Sequence, residues 1–104
     1  MMVLYLNSRA GTHKATAEYD DNIIRIFAGS AINMESKYSR LPKKVKSKRE
    51  DRSIVSETGE LLIDVVFNSL TAAAQFVTGR SVNGYIAWRV EDKMSLKQYL
   101  EQNT

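Results

Sequence analysis

Side chains able to do chemistry are few in this chain. His13 is its one histidine, and it has no cysteine. Histidine catalysis needs a nucleophile or carboxylate beside the imidazole, and no spacing in the sequence places one next to His13. One histidine and no thiol leave only carboxylates as metal ligands, so zinc ribbons, thiolate chemistry and disulfides are excluded. The acidic pairs Asp20-Asp21, Glu50-Asp51 and Glu91-Asp92 fall in expected turns or at a helix end. There they read as turn residues rather than as paired acid and base. No catalytic centre, metal or small-molecule cofactor is therefore expected.

Cations are the exception. Residues 37–52 hold eight lysines and arginines, among them Lys43, Lys44, Lys46, Lys48 and Arg49, against two carboxylates. That surplus of six sits in a chain whose net charge is +3, so the remainder carries −3. A slightly acidic body with one basic segment is the charge pattern of a surface that meets a polyanion. Lysine and arginine neutralise phosphates and release counterions, which gives affinity without sequence information. The bland alternative is a solvated helix face, or a flexible loop that only keeps the protein soluble.

A second set of candidates lies further on. Arg80, Ser81 and Asn83 offer donors and an amide suited to a phosphate or a base edge. Their loop follows a helix C-terminus, so it is no helix-N-terminal phosphate cradle, and it has neither a Walker lysine nor G-x-G-x-x-G spacing. In the structural alternative Gly79 ends the helix and Asn83-Gly84 turns the chain into a strand. Tyr85 and Arg89 are expected on one face of that strand, where a tyrosine beside an arginine can stack an unpaired base. If the sheet is covered on both sides, Tyr85 is core instead. Trp88 is expected in the core.

The elements that position these residues follow from pattern. Val3 to Leu6 reads as a short strand, and Thr12 to Tyr19 alternates with His13, Ala15, Ala17 and Tyr19 on one face. An Asp20-Asp21-Asn22 turn leads to a strand over Ile23 to Phe27, making a hairpin. Pro42 suits the first turn of a helix whose apolar anchors are Leu41 and Val45, so thin a stripe that the helix is expected to be loosely held or partly disordered. Ile54-Val55 and Leu61 to Phe67 read as a further hairpin about a turn at Glu57-Thr58-Gly59-Glu60. Ser69 caps a helix over Leu70 to Thr78, closed by Gly79. Tyr85 to Val90 alternates like a strand with Ile86, Trp88 and Val90 inward, and Ser95 to Gln98 has capping-box spacing that opens a short last helix. The fold class is α+β: one domain over residues 1–104, a mainly antiparallel sheet of about five or six strands with two or three helices packed on it. Helix 70–78 is expected on the face presenting Ile86 and Trp88. The 3–6 strand is expected at an edge, and an apolar edge can pair two copies into a homodimer. The N-terminal apolar run ends at Asn7, too short for a signal-peptide core or a bilayer span, so a cytoplasmic location with no membrane contact is expected.

Ser69-Leu70-Thr71-Ala72-Ala73-Ala74, then Gly79-Arg80-Ser81-Val82-Asn83-Gly84, then Trp88, resembles the pattern S-x-x-A-A-A…G-R-S-x-N-G-x-x-x-W of domain of unknown function 4357. That small module is often found C-terminal to GIY-YIG nuclease domains. More distantly, the chain is similar to the restriction enzyme adenine methylase associated (RAMA) domain, which has been proposed to read modified DNA. Tyr5-Leu6, Ala15 and Ile24 to Ser30 look like the family's opening hairpin. Tyr5-Leu6 is not a GIY motif, and nuclease chemistry is not carried over. The resemblance implies a DNA-associated accessory module of restriction-modification type. With the basic segment it makes DNA or RNA the expected partner. A protein-interaction or structural module is the alternative, and a nuclease fragment a third.

Overall fold

The computed structural model describes residues 2–34, 41–91 and 94–102. Lys37 and Arg40 of the basic segment, and Asp92, lie outside the described residues. The fold grows from the hairpin of β2 (Lys14–Asp20) and β3 (Ile23–Ile26). Asp21 and Asn22 connect them with φ of 51° and 64°. A two-residue loop with both φ values positive twists in the same sense as the strands it joins. β1 (Met2–Asn7) pairs antiparallel with β2, Met2 facing Tyr19 and Asn7 facing Lys14. β4 (Val65–Phe67) adds beside β3, and β5 (Arg89–Glu91) with β6 (Met94–Ser95) closes the other side. The order is β4-β3-β2-β1-β5-β6, with every neighbouring pair antiparallel.

Period-two alternation divides the sheet into two faces. Leu4, Leu6, Ala15, Ala17, Ile24, Ile26, Val65 and Phe67 are buried on one. Four helices accompany the strands among the described residues: α1 (Lys43–Glu50), α2 (Leu70–Thr78), α3 (Gly84–Ala87) and α4 (Leu96–Gln102). α2 packs on β3 and β4 with Ala73, Ala74, Phe76 and Val77 fully buried. The register sets Val3, Glu18, Arg25 and Val66 in one row across the opposite face. There Arg25 is paired with Glu18 and lies 5.7 Å from the centre of the Phe27 ring.

Several expectations hold in detail. Ser69 Oγ accepts from Ala72 N at 3.1 Å, and Gly79 ends α2 at φ 70°. Ser95 and Gln98 bond reciprocally: Gln98 N donates to Ser95 Oγ at 3.2 Å, and Ser95 N to Gln98 Oε1 at 3.1 Å. Others do not. β1 is interior rather than an edge, because β5 returns from the far end of the chain to pair Arg89 with Tyr5. The expected 54–67 hairpin shrinks to a bridge between Val55 and Leu61 about Gly59, and residues 65–67 join β3 instead. Asp64 ties that chain to the sheet by accepting from Ala28 N at 2.8 Å. The expected strand over Tyr85 to Val90 begins as the single helical turn α3, which leaves Ile86 53% exposed and away from Trp88.

Gly84 is the reason. A Cβ at this residue would lie 2.5 Å from Thr71 N and deep inside the Leu70 carbonyl. Only glycine lets the start of α3 touch the start of α2. Gly84 N donates to Thr71 Oγ1 at 3.1 Å, Asn83 Oδ1 caps the turn by accepting from Tyr85 N at 2.9 Å, and Trp88 Nε1 donates to Leu70 O at 3.2 Å. The first turn of α2 is thus fastened to the chain that leads into β5.

Candidate nucleic-acid interface

α1 shows how a lysine-rich segment is held in place. Pro42 stands just before it, and its φ of −55° suits a helix entry; Lys46 N donates to Pro42 O at 3.0 Å. Leu41 and Val45 are buried as expected, and the stripe continues at Arg49, which is 2% exposed. The expectation that Arg49 faces phosphate is therefore corrected: its guanidinium points into the protein. It donates to Phe76 O and to Asn33 O.

The chemistry of that burial lies in the end of α2. The last four carbonyls of a helix lack intrahelical donors and carry the negative end of its dipole. Gly79 N donates to Gln75 O at 2.8 Å, and Asn33 N to Val77 O at 2.8 Å. Arg49 supplies Phe76 O between them, placing a cation where the dipole favours it. Leu41, Val45 and Arg49, spaced four residues apart, thus seat α1 on the core, and the third anchor is one that its apolar content does not show.

The lysines then have no inward role. Lys43 and Lys44 are exposed and Lys46 and Lys48 half-buried. Among the described residues none of the four is ion-paired. Lys44 and Lys48, one turn apart, share the flank facing β4, and Lys48 Nζ lies 5.8 Å from the centre of the Phe67 ring. Between this flank, the ends of β3 and β4 and the start of α2 opens a pocket of about 420 Å³. Val45, Phe67 and Ala72 line it from the helix side of the sheet, Ile23 and Val66 from the other. Pro42, Lys44, Lys48 and Asn68 complete it. Ile23 and Val66 are 49% and 52% exposed, a high fraction for aliphatic residues.

The second set of candidates is not brought together in this way. Arg80 and Ser81 are exposed on the α2–α3 connection. Arg80 N donates to Thr78 Oγ1 at 3.2 Å, and Arg80 lies close enough to His13 to act on its titration. Burial first, and then the Arg80 cation, hold the imidazole below its ordinary value near 6.5. The Asn83 amide oxygen is committed to capping α3. Tyr85 stands on α3 at 44% exposure beside Tyr19, whose phenol is pushed up by burial and then by the Tyr85 hydroxyl. Arg89 pairs with Tyr5 and so points to the opposite face of the sheet. The expected Tyr85–Arg89 stacking pair is not formed, because α3 replaces the strand that would have aligned them.

The pocket's apolar wall went unnoticed in the sequence. Its signal was there: Ile23-Ile24 and Val65-Val66-Phe67 break the alternation, so these strands are apolar on both faces at that end of the sheet. Among the described residues no three His, Cys, Asp or Glu side chains come together as a metal-binding group. No helix among them is long and apolar enough to cross a membrane. No curated protein and no solved structure matches the chain. The model of one family does, over residues 4–100, nearly the whole length. The α2 cap, the Gly79 stop and the Asn83-Gly84-Trp88 fastening all lie within the matched residues, and the chain is a member of the family described as Domain of unknown function (DUF4357).

Proposed function

We propose that this domain is a non-catalytic, DNA-associated or more generally nucleic-acid-binding accessory module, working in the cytoplasm through the outer faces of α1. The observation that carries the reading is the division of labour within that helix. Arg49 and Val45 hold it to the core, while Lys43, Lys44, Lys46 and Lys48 reach the surface and form no ion pair among the described residues, Lys48 acting on Asp51 only at longer range. Clustered cations on a fixed helix attract a phosphate backbone at long range and meet it without having to order first.

Fluorescence anisotropy against labelled double-stranded DNA, single-stranded DNA and RNA over a salt series tests it. Four lysines each neutralising a phosphate give a log–log salt slope of roughly −3 to −4. Lys43→Glu, Lys44→Glu and Lys46→Glu together abolish the binding. Flat traces at low salt defeat the proposal. Leu62 and Ile63, adjacent and each about half exposed, favour a second reading, a protein-interaction module with a solubilising helix. That reading is recognised by association that survives high salt and ignores the lysine reversals.

A further inference from the structure

We infer that the pocket beside α1 receives one unpaired nucleobase, with Lys44 and Lys48 on the phosphates that flank it, so that the preferred ligand is a single strand. This rests on the nucleic-acid reading of α1 and specifies which form of nucleic acid that helix serves. The pocket's volume of about 420 Å³ lies within the range of about 300–1,000 Å³ usual for small-molecule sites, ample for one base. Its composition is divided as such a ligand requires. Ile23 and Val66 present aliphatic surface at half exposure, which the flat face of a base would remove from water. Asn68 brings an amide, donor and acceptor together, to the same pocket, and a base edge offers the complementary pattern.

Charge decides what kind of chain bears the base. Lys44 and Lys48 stand one helical turn apart on the pocket's flank, so a planar apolar group entering there arrives with cations beside it. A nucleotide strand supplies both complements at once, a stackable base and anionic groups before and after it. Duplex DNA shields its bases in the stack and must unstack one before the pocket is filled. Its phosphates still reach the lysines. Duplex binding by α1 and base capture by the pocket are therefore separable.

The experiment compares three probes by anisotropy at one salt concentration: a labelled oligothymidine strand, an abasic strand of equal length and charge, and a duplex. The expected result is a preference for oligothymidine over the abasic strand of about tenfold, the scale of covering two half-exposed aliphatic side chains, with the duplex also weaker. Val66→Ser, at an exposed position where folding is checked by thermal melting, erases the preference and leaves the salt slope intact. Equal affinity for the base-bearing and abasic strands overturns the inference while leaving the phosphate-binding function standing. Binding to none of the three, with capture instead of an acidic peptide bearing an aromatic residue, overturns both.

Discussion

α1 and α2 are helices of nearly equal length, eight and nine residues, lying against each other, and they are built in opposite ways. α2 carries its own instructions: a serine cap, an alanine-rich buried stripe and a left-handed glycine stop. Six of its nine residues are buried, so its position is fixed by core packing. α1 has no side-chain cap and buries only Val45 and Arg49. Its position is borrowed from α2, through the guanidinium that serves the α2 C-terminus. A helix held by one buried arginine and a short apolar stripe keeps most of its surface for solvent, and here that surface is rich in lysine. The comparison teaches that the helix with its own cap, stripe and stop builds the platform, while the helix fastened to it displays the charge.

The sharpest way to break this arrangement is Arg49→Met, which keeps the stem and removes the donors. Phe76 O and Asn33 O lose the guanidinium, a loss of about 3 kcal/mol, measured by chemical denaturation. Because α1 loses its hold, binding to nucleic acid falls as well. Gly84→Ala strikes the platform instead. The new methyl group collides with the Leu70 and Thr71 backbone, and overpacking of this kind costs about 1–3 kcal/mol. At temperatures where the variant is folded, affinity for duplex DNA is unchanged, since α1 is untouched. Equal loss of binding in both variants would remove the distinction between platform and display.

The smallest effect concerns pH. His13 titrates below its ordinary value in the fold, through burial and then Arg80. The unfolded chain therefore binds more protons than the native one between the lowered value and about 6.5, and stability rises with pH across that window. Acidification through it destabilises the protein, and His13→Gln flattens that part of the profile in thermal melts taken over a pH series.

Residues whose signals act locally were legible in the sequence. Ser69 and Gly79 bound α2, Asp21-Asn22 makes the β2–β3 turn, and Ser95 with Gln98 opens α4, all from chemistry within a few residues. What was misread depends on distant partners. β1 looks like an edge until β5 returns to it, and Arg49 looks like a phosphate ligand until α2 places its carbonyls there. Tyr85 to Val90 alternates like a strand, yet the close approach of Gly84 to Leu70 makes the first four of residues 84–90 helical. The pocket was hidden because it joins α1, β3, β4 and α2, which no local pattern connects.

Titration of the isotopically labelled protein with oligothymidine, followed by backbone amide shifts, separates the two helices most directly. The division of labour proposed here places the largest shifts on residues 43–48 of α1 and on Ile23, Val66 and Asn68, with the α2–α3 connection and the Arg89 face of the sheet quiet. Shifts centred on Arg80, Ser81 and Tyr85, with α1 unmoved, would contradict it.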